Sequence, residues 1–221
     1  MIKRFLSILV LILLAVIVVF SRPLAGIFTD ILWFDNLGYL SAFLIPISSK
    51  LITGIIAGLV SFVFLYANLS FTARRIGKSR RVAERYPDAP PEQMARSIRR
   101  TFLVFAILAA VLAGAAMSSQ WLTVQTFLNR TATGITDPLF DMDEGYYLFV
   151  LPFQLIVYRM SISLVVAALV GVLALYMFTG SIHIKGLWSG EGEGAAKFHV
   201  GALAAAALFL KAWGYRLQAL T

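Results

Sequence analysis

The chain has 221 residues, of which 60% are hydrophobic and 14% are charged, whereas a soluble domain is roughly 45–50% apolar. Its formal net charge is +8, and it contains no cysteine, which excludes disulfides, thiolate metal sites and cysteine nucleophiles. Its charges are clustered, and uncharged runs of roughly 18 residues can cross about 30 Å of hydrocarbon. The composition therefore predicts an all-α, polytopic transmembrane helix bundle.

The first apolar run, residues 5–20, follows Lys3 and Arg4. A charged start before an apolar run also describes a cleaved signal peptide. This run is long for that purpose, and no small-x-small cleavage site follows it. These features favour a retained first span with the N-terminus inside.

The next stretch, residues 24–50, carries Trp33, Phe34 and Tyr39 among acidic residues. Aromatic side chains with polar groups settle at the level of the lipid headgroups. We therefore expect interfacial helices or loops here, on the outer face. The alternative is an aromatic groove that binds a ligand. In the span that follows, Gly54 and Gly58 are one helical turn apart and would let another helix approach closely.

The loop 74–100 contains nine basic and three acidic residues. A short loop this basic predicts the cytoplasmic side. Anionic lipid headgroups are the expected partner of this inner loop, and no nucleic-acid partner is needed to explain its charge.

The connector, residues 120–153, joins two apolar segments and has a net negative charge, which predicts the outer side. Its four acids could ligate calcium, although an acidic loop held by local turns is the commoner arrangement. No cleft that could tune paired carboxylates for acid–base catalysis can be inferred. The calcium candidates are Asp137, Asp141, Asp143 and Glu144.

The remaining chain continues the same pattern as one transmembrane domain, residues 1–221. The inner loop 179–198 has alternating glycines but no phosphate-loop motif, so it is predicted to be a linker. A paired haem or metal site at His183 and His199 is conceivable from their common inner position. The C-terminus is expected outside. The five predicted spans are about 5–20, 51–71, 101–117, 160–178 and 199–215.

Three segments resemble the UPF0182 family of large, uncharacterised bacterial integral membrane proteins. They are TDILWFDNLGY (29–39), QWLTVQTFLNRTATGITDPLFDMDEGYYLFVLPF (120–153) and KAWGYRL (211–217). Family members show a similar Trp-Phe-x-x-Leu-Gly-Tyr after the first span, then Gln-Trp, Phe-Leu-Asn, Thr-Asp-Pro-x-Phe and Leu-Pro-Phe. The chain departs from the family at Asp141 and Met142, where members have Gly and a basic residue. Matching residues are Trp33, Phe34, Leu37, Gly38, Tyr39, Gln120, Trp121, Phe127, Leu128, Asn129, Thr136, Asp137, Pro138, Phe140, Asp143, Tyr147, Phe149, Leu151, Pro152 and Phe153.

The resemblance implies a multi-pass protein of the bacterial inner (cell) membrane and carries no activity with it. Family proteins are several times longer, so we expect a truncated relative or a fragment. The favoured function is a non-enzymatic membrane scaffold or accessory subunit that contacts other membrane-protein subunits. The alternatives are part of a transporter or lipid-handling protein, and an envelope enzyme acting at the outer face. No catalytic residue and no cofactor is predicted. The candidate partner-binding residues are Trp33, Phe34, Tyr39, Trp121, Asp137, Asp143 and Tyr147.

Overall fold

A computed structural model of the chain describes residues 2–88, 91–181 and 194–221, so that His183 lies outside the described residues. The described chain is helical, which confirms the predicted all-α class. A π-helical segment, Tyr146–Val150, runs directly into the sixth helix. The helices are α1 (Ile2–Asn36), α2 (Leu40–Ile76), α3 (Arg80–Arg85), α4 (Pro91–Ser118), α5 (Trp121–Leu128), α6 (Leu151–Phe178) and α7 (Gly194–Gln218).

Within the described ranges, five helical stretches are long and apolar enough to cross a membrane, as the sequence predicts. The chain is therefore a multi-pass membrane protein by length and composition, while the side on which each end lies stays a prediction. Several helices extend beyond the predicted apolar runs. At 1.5 Å per residue, the 37 residues of α2 measure about 55 Å, well over the thickness of the hydrocarbon core. The five stretches are Ile17–Asn36, Leu40–Ile76, Glu92–Ser118, Tyr146–Phe178 and Gly194–Gln218.

The chain divides into two compact units, Met1–Ser48 and Ser49–Thr221. In the first unit, α1 ends in a turn that Gly38 makes possible with a φ of 74°. Tyr39 N donates to Phe34 O over 2.9 Å, and Gly38 N donates to Asp35 O over 2.9 Å. This is the paired hydrogen-bond pattern of a glycine-terminated helix, and it satisfies two carbonyls that the helix leaves open. The stretch 24–50 is thus helical on both sides of one turn.

The core of the second unit lies between α2, α4, α6 and α7. Leu69 of α2, Ala106 of α4, Val172 of α6 and Leu203 of α7 are all buried there. Tyr176 is also fully buried in this core. By contrast, many apolar side chains on the outer surfaces of α2 and α4 are exposed, as expected for helices surrounded by lipid tails.

The helices α2 and α4 pack backbone to backbone. A Cβ built on Gly114 would lie 2.7 Å from Gly54 O, and one built on Gly58 would lie 3.1 Å from Ala110 O. The small-residue spacing of α2 therefore serves the close approach that the sequence suggests. Since Gly54 meets Gly114 and the later Gly58 meets the earlier Ala110, the two helices run antiparallel.

One end of the second unit carries the nine basic residues of the segment 74–100. The hydroxyl of Ser79 accepts a hydrogen bond from Val82 N over 3.3 Å and caps α3. Tyr86, which follows α3, donates to Phe178 O at the end of α6 over 3.4 Å. We call this end, where α2 and α6 finish and α4 begins, the basic end.

Candidate functional site

The connector Gln120–Phe153 lies at the opposite end of the second unit and begins with α5, which is attached to α2. The Lys50 ammonium lies 5.7 Å from the centre of the Trp121 ring. The amide Nε2 of Gln125 donates a hydrogen bond to the buried hydroxyl of Ser49. Two polar contacts thus fix a short amphipathic helix that could not hold its conformation alone.

The two ends of the connector meet through aromatic rings. Phe127 of α5 stacks on Phe153 of α6 with ring centres 3.9 Å apart and planes 8° apart. The guanidinium of Arg130 lies 4.7 Å from the centre of the Phe127 ring and donates to Phe127 O over 3.1 Å. Arg130 is therefore occupied by local contacts.

Asp143 is the centre of the connector's hydrogen-bond network. Its carboxylate accepts from the backbone N–H groups of Thr133 (3.1 Å to each oxygen), Gly134 (2.9 Å) and Gly145 (2.7 Å). The Thr133 hydroxyl donates as well, over 3.2 Å. These hydrogen bonds, that of Thr133 N first, hold the pKa of Asp143 below its ordinary value. The ionised carboxylate therefore stabilises the conformation of the loop.

Asp137 fastens the loop at a second point. Its Oδ2 accepts from the Tyr147 hydroxyl over 2.8 Å, and its Oδ1 accepts from Leu139 N over 2.8 Å. Backbone pairing runs alongside, since Asp137 N donates to Met142 O and Glu144 N donates to Ile135 O. The tight turn between them places Asp141 at a φ of 53°, which Asp and Asn tolerate better than most residues. The segment is a folded loop with a defined backbone.

The tip of this loop is apolar. Leu139 is 77% exposed, Ile135 is 57% exposed and Phe140 is 41% exposed. The other two acids, Asp141 and Glu144, are exposed beside them. The loop therefore pairs the polar groups of Asp137 and Asp143 internally and leaves large apolar side chains uncovered. We call Ile135, Leu139 and Phe140 the apolar tip.

The remaining predicted site residues are distributed between the units. In the first unit, Trp33 and Phe34 form an edge-to-face pair with ring centres 4.9 Å apart, and Trp33 and Tyr39 are exposed. In the second unit, Trp121 and Tyr147 are half-buried in the contacts described above. The structure brings Asp137 and Tyr147 together, and it links Asp143 to the backbone of the same loop.

The four calcium candidates take different roles in the loop. Asp137 and Asp143 accept several hydrogen bonds from the chain, whereas Asp141 and Glu144 face solvent. Among the residues that the structure describes, no three acidic or histidine side chains gather in the manner of a metal site. The chain's own N–H and O–H groups thus occupy positions that a cation would need.

A polar pair within the spans was not predicted from the sequence. His199 Nε2 of α7 lies 3.1 Å from Asn68 Oδ1 of α2, and His199 Nδ1 lies 3.5 Å from the Tyr176 hydroxyl. Asn68 also donates to Phe64 O over 2.7 Å. This geometry fits a neutral imidazole with its proton on Nε2. The sequence signals were an asparagine inside the apolar run 51–71 and a histidine at the start of the predicted span 199–215.

Comparison with known proteins gives one consistent result. A family profile described as "Uncharacterised protein family (UPF0182)" matches residues 7–221. A UPF0182 protein of Desulforamulus reducens is 29% identical over 212 residues, which cover 88% of this chain and 23% of that protein. One of Pelotomaculum thermopropionicum is 32% identical over 210 residues, covering 88% of this chain and 22% of the relative.

A third relative, from Kocuria rhizophila, is 30% identical over 212 residues, covering 95% of this chain and 21% of its own length. The chain thus spans between a fifth and a quarter of the length of these curated relatives. No solved structure matches. Because the family match covers nearly the whole sequence, the chain belongs to the UPF0182 family.

Proposed function

We propose that this chain is a non-enzymatic membrane scaffold or accessory subunit, and that its connector docks a partner polypeptide. The observation that carries the proposal is the contrast within one loop. Asp143 and Asp137 are bound by the loop itself, while the apolar tip projects uncovered. A hydrogen-bonded loop that exposes large apolar side chains outside the helices is typical of an interaction surface.

The partner's chemistry follows from what surrounds the tip. A matching surface would offer an apolar pocket for Leu139 and Phe140 and a basic rim for the exposed Asp141 and Glu144. We propose that this surface belongs to polypeptide equivalent to the part of the relatives' length that this chain does not span.

The proposed location is the bacterial inner (cell) membrane, with the N-terminus and the basic end on the cytoplasmic side. The charge of the chain supports this orientation, since loop 74–100 is strongly basic and the connector is acidic. The connector would then face the outside. Its partner would be an extracytoplasmic surface.

A second candidate, part of a transporter or lipid-handling protein, is favoured by the pair formed by Asn68 and His199. Ionisable and polar side chains within spanning helices are costly and often mark a transport path. Under that hypothesis, replacing His199 with Asn would impair growth while the protein still accumulates in the membrane at its normal level. An unchanged growth phenotype at normal protein level would contradict it.

Affinity purification in mild detergent tests the docking proposal. The tagged chain is expected to retain a discrete polypeptide in fixed stoichiometry, and the L139A/F140A variant should lose it. The matched control is L112A/F105A, which removes an exposed leucine and an exposed phenylalanine from the lipid-facing surface of α4. Loss of the partner in both variants, or in neither, would contradict a docking role for the tip.

A further inference from the structure

We propose that the basic end of the second unit binds a lipid whose headgroup carries two phosphate groups. The site is formed by two adjoining cavities between the end of α2 and the start of α4. It lies at the opposite end of the unit from the connector. The inference therefore does not depend on the docking proposal.

Each cavity has the capacity for one phosphate group and its substituents. The first has a volume of about 260 Å³ and is lined by Tyr66, Arg100 and Leu103, together with Arg96 and Arg99. The second has a volume of about 270 Å³ and lies beside the last turn of α2. Arg96 and Arg99 line both cavities, so that the two spaces share a wall of guanidinium groups.

The second cavity adds two cations and one acid. Arg74 and Lys78 enter from the α2 side, and Glu92 from the first turn of α4. The two cavities together thus present five cations and a single carboxylate. Arginine donates to phosphate through a planar fork, often with two parallel hydrogen bonds. An anion with several negative charges matches this excess better than one phosphodiester does.

The sequence of α4 puts these groups on one helix face. Glu92, Arg96, Arg99 and Leu103 are spaced by three or four residues, which aligns side chains along a helix. Arg99 also lies beside the half-buried Tyr66 of α2 and interacts electrostatically with its hydroxyl. The second helix thereby orients one guanidinium at the wall that the cavities share.

The apolar wall of the first cavity points to a lipid as the source of the phosphates. Leu103 lies in the first turn of the apolar part of α4, and Val104, Phe105 and Leu108 are exposed on the same helix. A headgroup held by the arginines could therefore extend its acyl chains along α4 into the hydrocarbon. Basic pockets between transmembrane helices are known to suit diphosphatidyl and phosphoinositide headgroups.

Native mass spectrometry of the full chain in lipid nanodiscs tests the proposal, with diphosphatidylglycerol as the probe. The wild-type chain should retain one such lipid. The R96Q/R99Q variant should bind it at least about tenfold more weakly, because both cavities lose the guanidinium groups that they share. The control R75Q/R80Q removes two basic side chains that line neither cavity. Its affinity for the lipid should stay within about twofold of that of the wild type.

Two further binding measurements distinguish between the possible ligands. Phosphatidylglycerol at equal phosphate concentration should bind more weakly than diphosphatidylglycerol. Soluble pyrophosphate should not displace the bound lipid. The proposal is wrong if both double variants bind alike, if phosphatidylglycerol binds as tightly, or if pyrophosphate competes for the site. The last result would assign the cavities to a soluble phosphate compound.

Discussion

The carboxylate of Asp143 accepts hydrogen bonds from Thr133, ten residues earlier in the chain. Both of its oxygens lie 3.1 Å from the backbone nitrogen of Thr133. The hydroxyl of the same threonine donates to Oδ1, and Gly145 N donates to Oδ1 from the other side. One side chain thus joins the start of the loop to the start of the helical segment that follows it. We therefore expect the conformation of the apolar tip to depend on this link.

Replacing Asp143 with Asn should loosen the loop. An amide offers one accepting oxygen where the carboxylate has two, and its NH₂ group would face backbone donors. We expect faster amide exchange and faster limited proteolysis in residues 130–145. D141N is the matched control, since Asp141 is exposed and Asn tolerates its positive φ. Equal protection in the two variants would show that Asp143 does not hold the loop.

The order of the loop should depend on pH in an acidic window. The pKa of Asp143 is lowered in the folded protein, so its carboxylate stabilises the loop above the ordinary value of 3.8. That contribution is lost as the pH falls through the lowered pKa. The anisotropy of a fluorophore attached to L139C should therefore stay constant from pH 7 to about 5 and fall only below about 4. The same probe in a D143N background should lack this transition, and a transition near pH 6 would contradict the account.

The seam between α2 and α4 should not tolerate a side chain at Gly114. A Cβ there would meet the backbone carbonyl of Gly54 at 2.7 Å, and backbone cannot move aside as a flexible side chain can. G114A should lower the free energy of unfolding by about 1–3 kcal/mol, measured by thermal or denaturant unfolding in detergent. The control is G201A in α7, where no atom lies within 4 Å and Ala is the better helix former. Equal stability of the two variants would rule out close packing at the seam.

The orientation of the chain can be measured directly because it has no cysteine. Single cysteines at Leu139 and Arg80 can be exposed to a membrane-impermeant maleimide in intact cells. We expect L139C to be labelled at once and R80C only after permeabilisation, since basic loops stay on the cytoplasmic side. The reverse pattern would invert the proposed topology.

The sequence was most informative where one residue type decides the structure. Long apolar runs predicted five spanning helices, and Gly54 and Gly58 predicted a close helix contact, which the structure contains. Helix ends were harder to predict, because α1 continues through Pro23 to Asn36 and α4 includes the charged piece before its apolar run. Charge alone does not show whether a helix stops at a membrane surface or extends beyond it.

Within the connector, the sequence indicated which residues matter but not what they do. Asp137 and Asp143 were grouped as potential ligands, yet their hydrogen bonds reach backbone and hydroxyl groups two to ten residues away. Such pairings depend on loop geometry that no periodic pattern encodes. Asn68 was missed for a related reason, since its partner His199 is 131 residues away in sequence.

Photo-cross-linking in living cells tests most directly whether the apolar tip touches a partner polypeptide. A benzophenone amino acid at position 139 should yield one discrete protein adduct. The same amino acid at position 112, which is 71% exposed on α4, should react only with lipid. A protein adduct at 139 alone is the result that we predict, whereas lipid adducts alone at both positions would contradict a docking role for the connector.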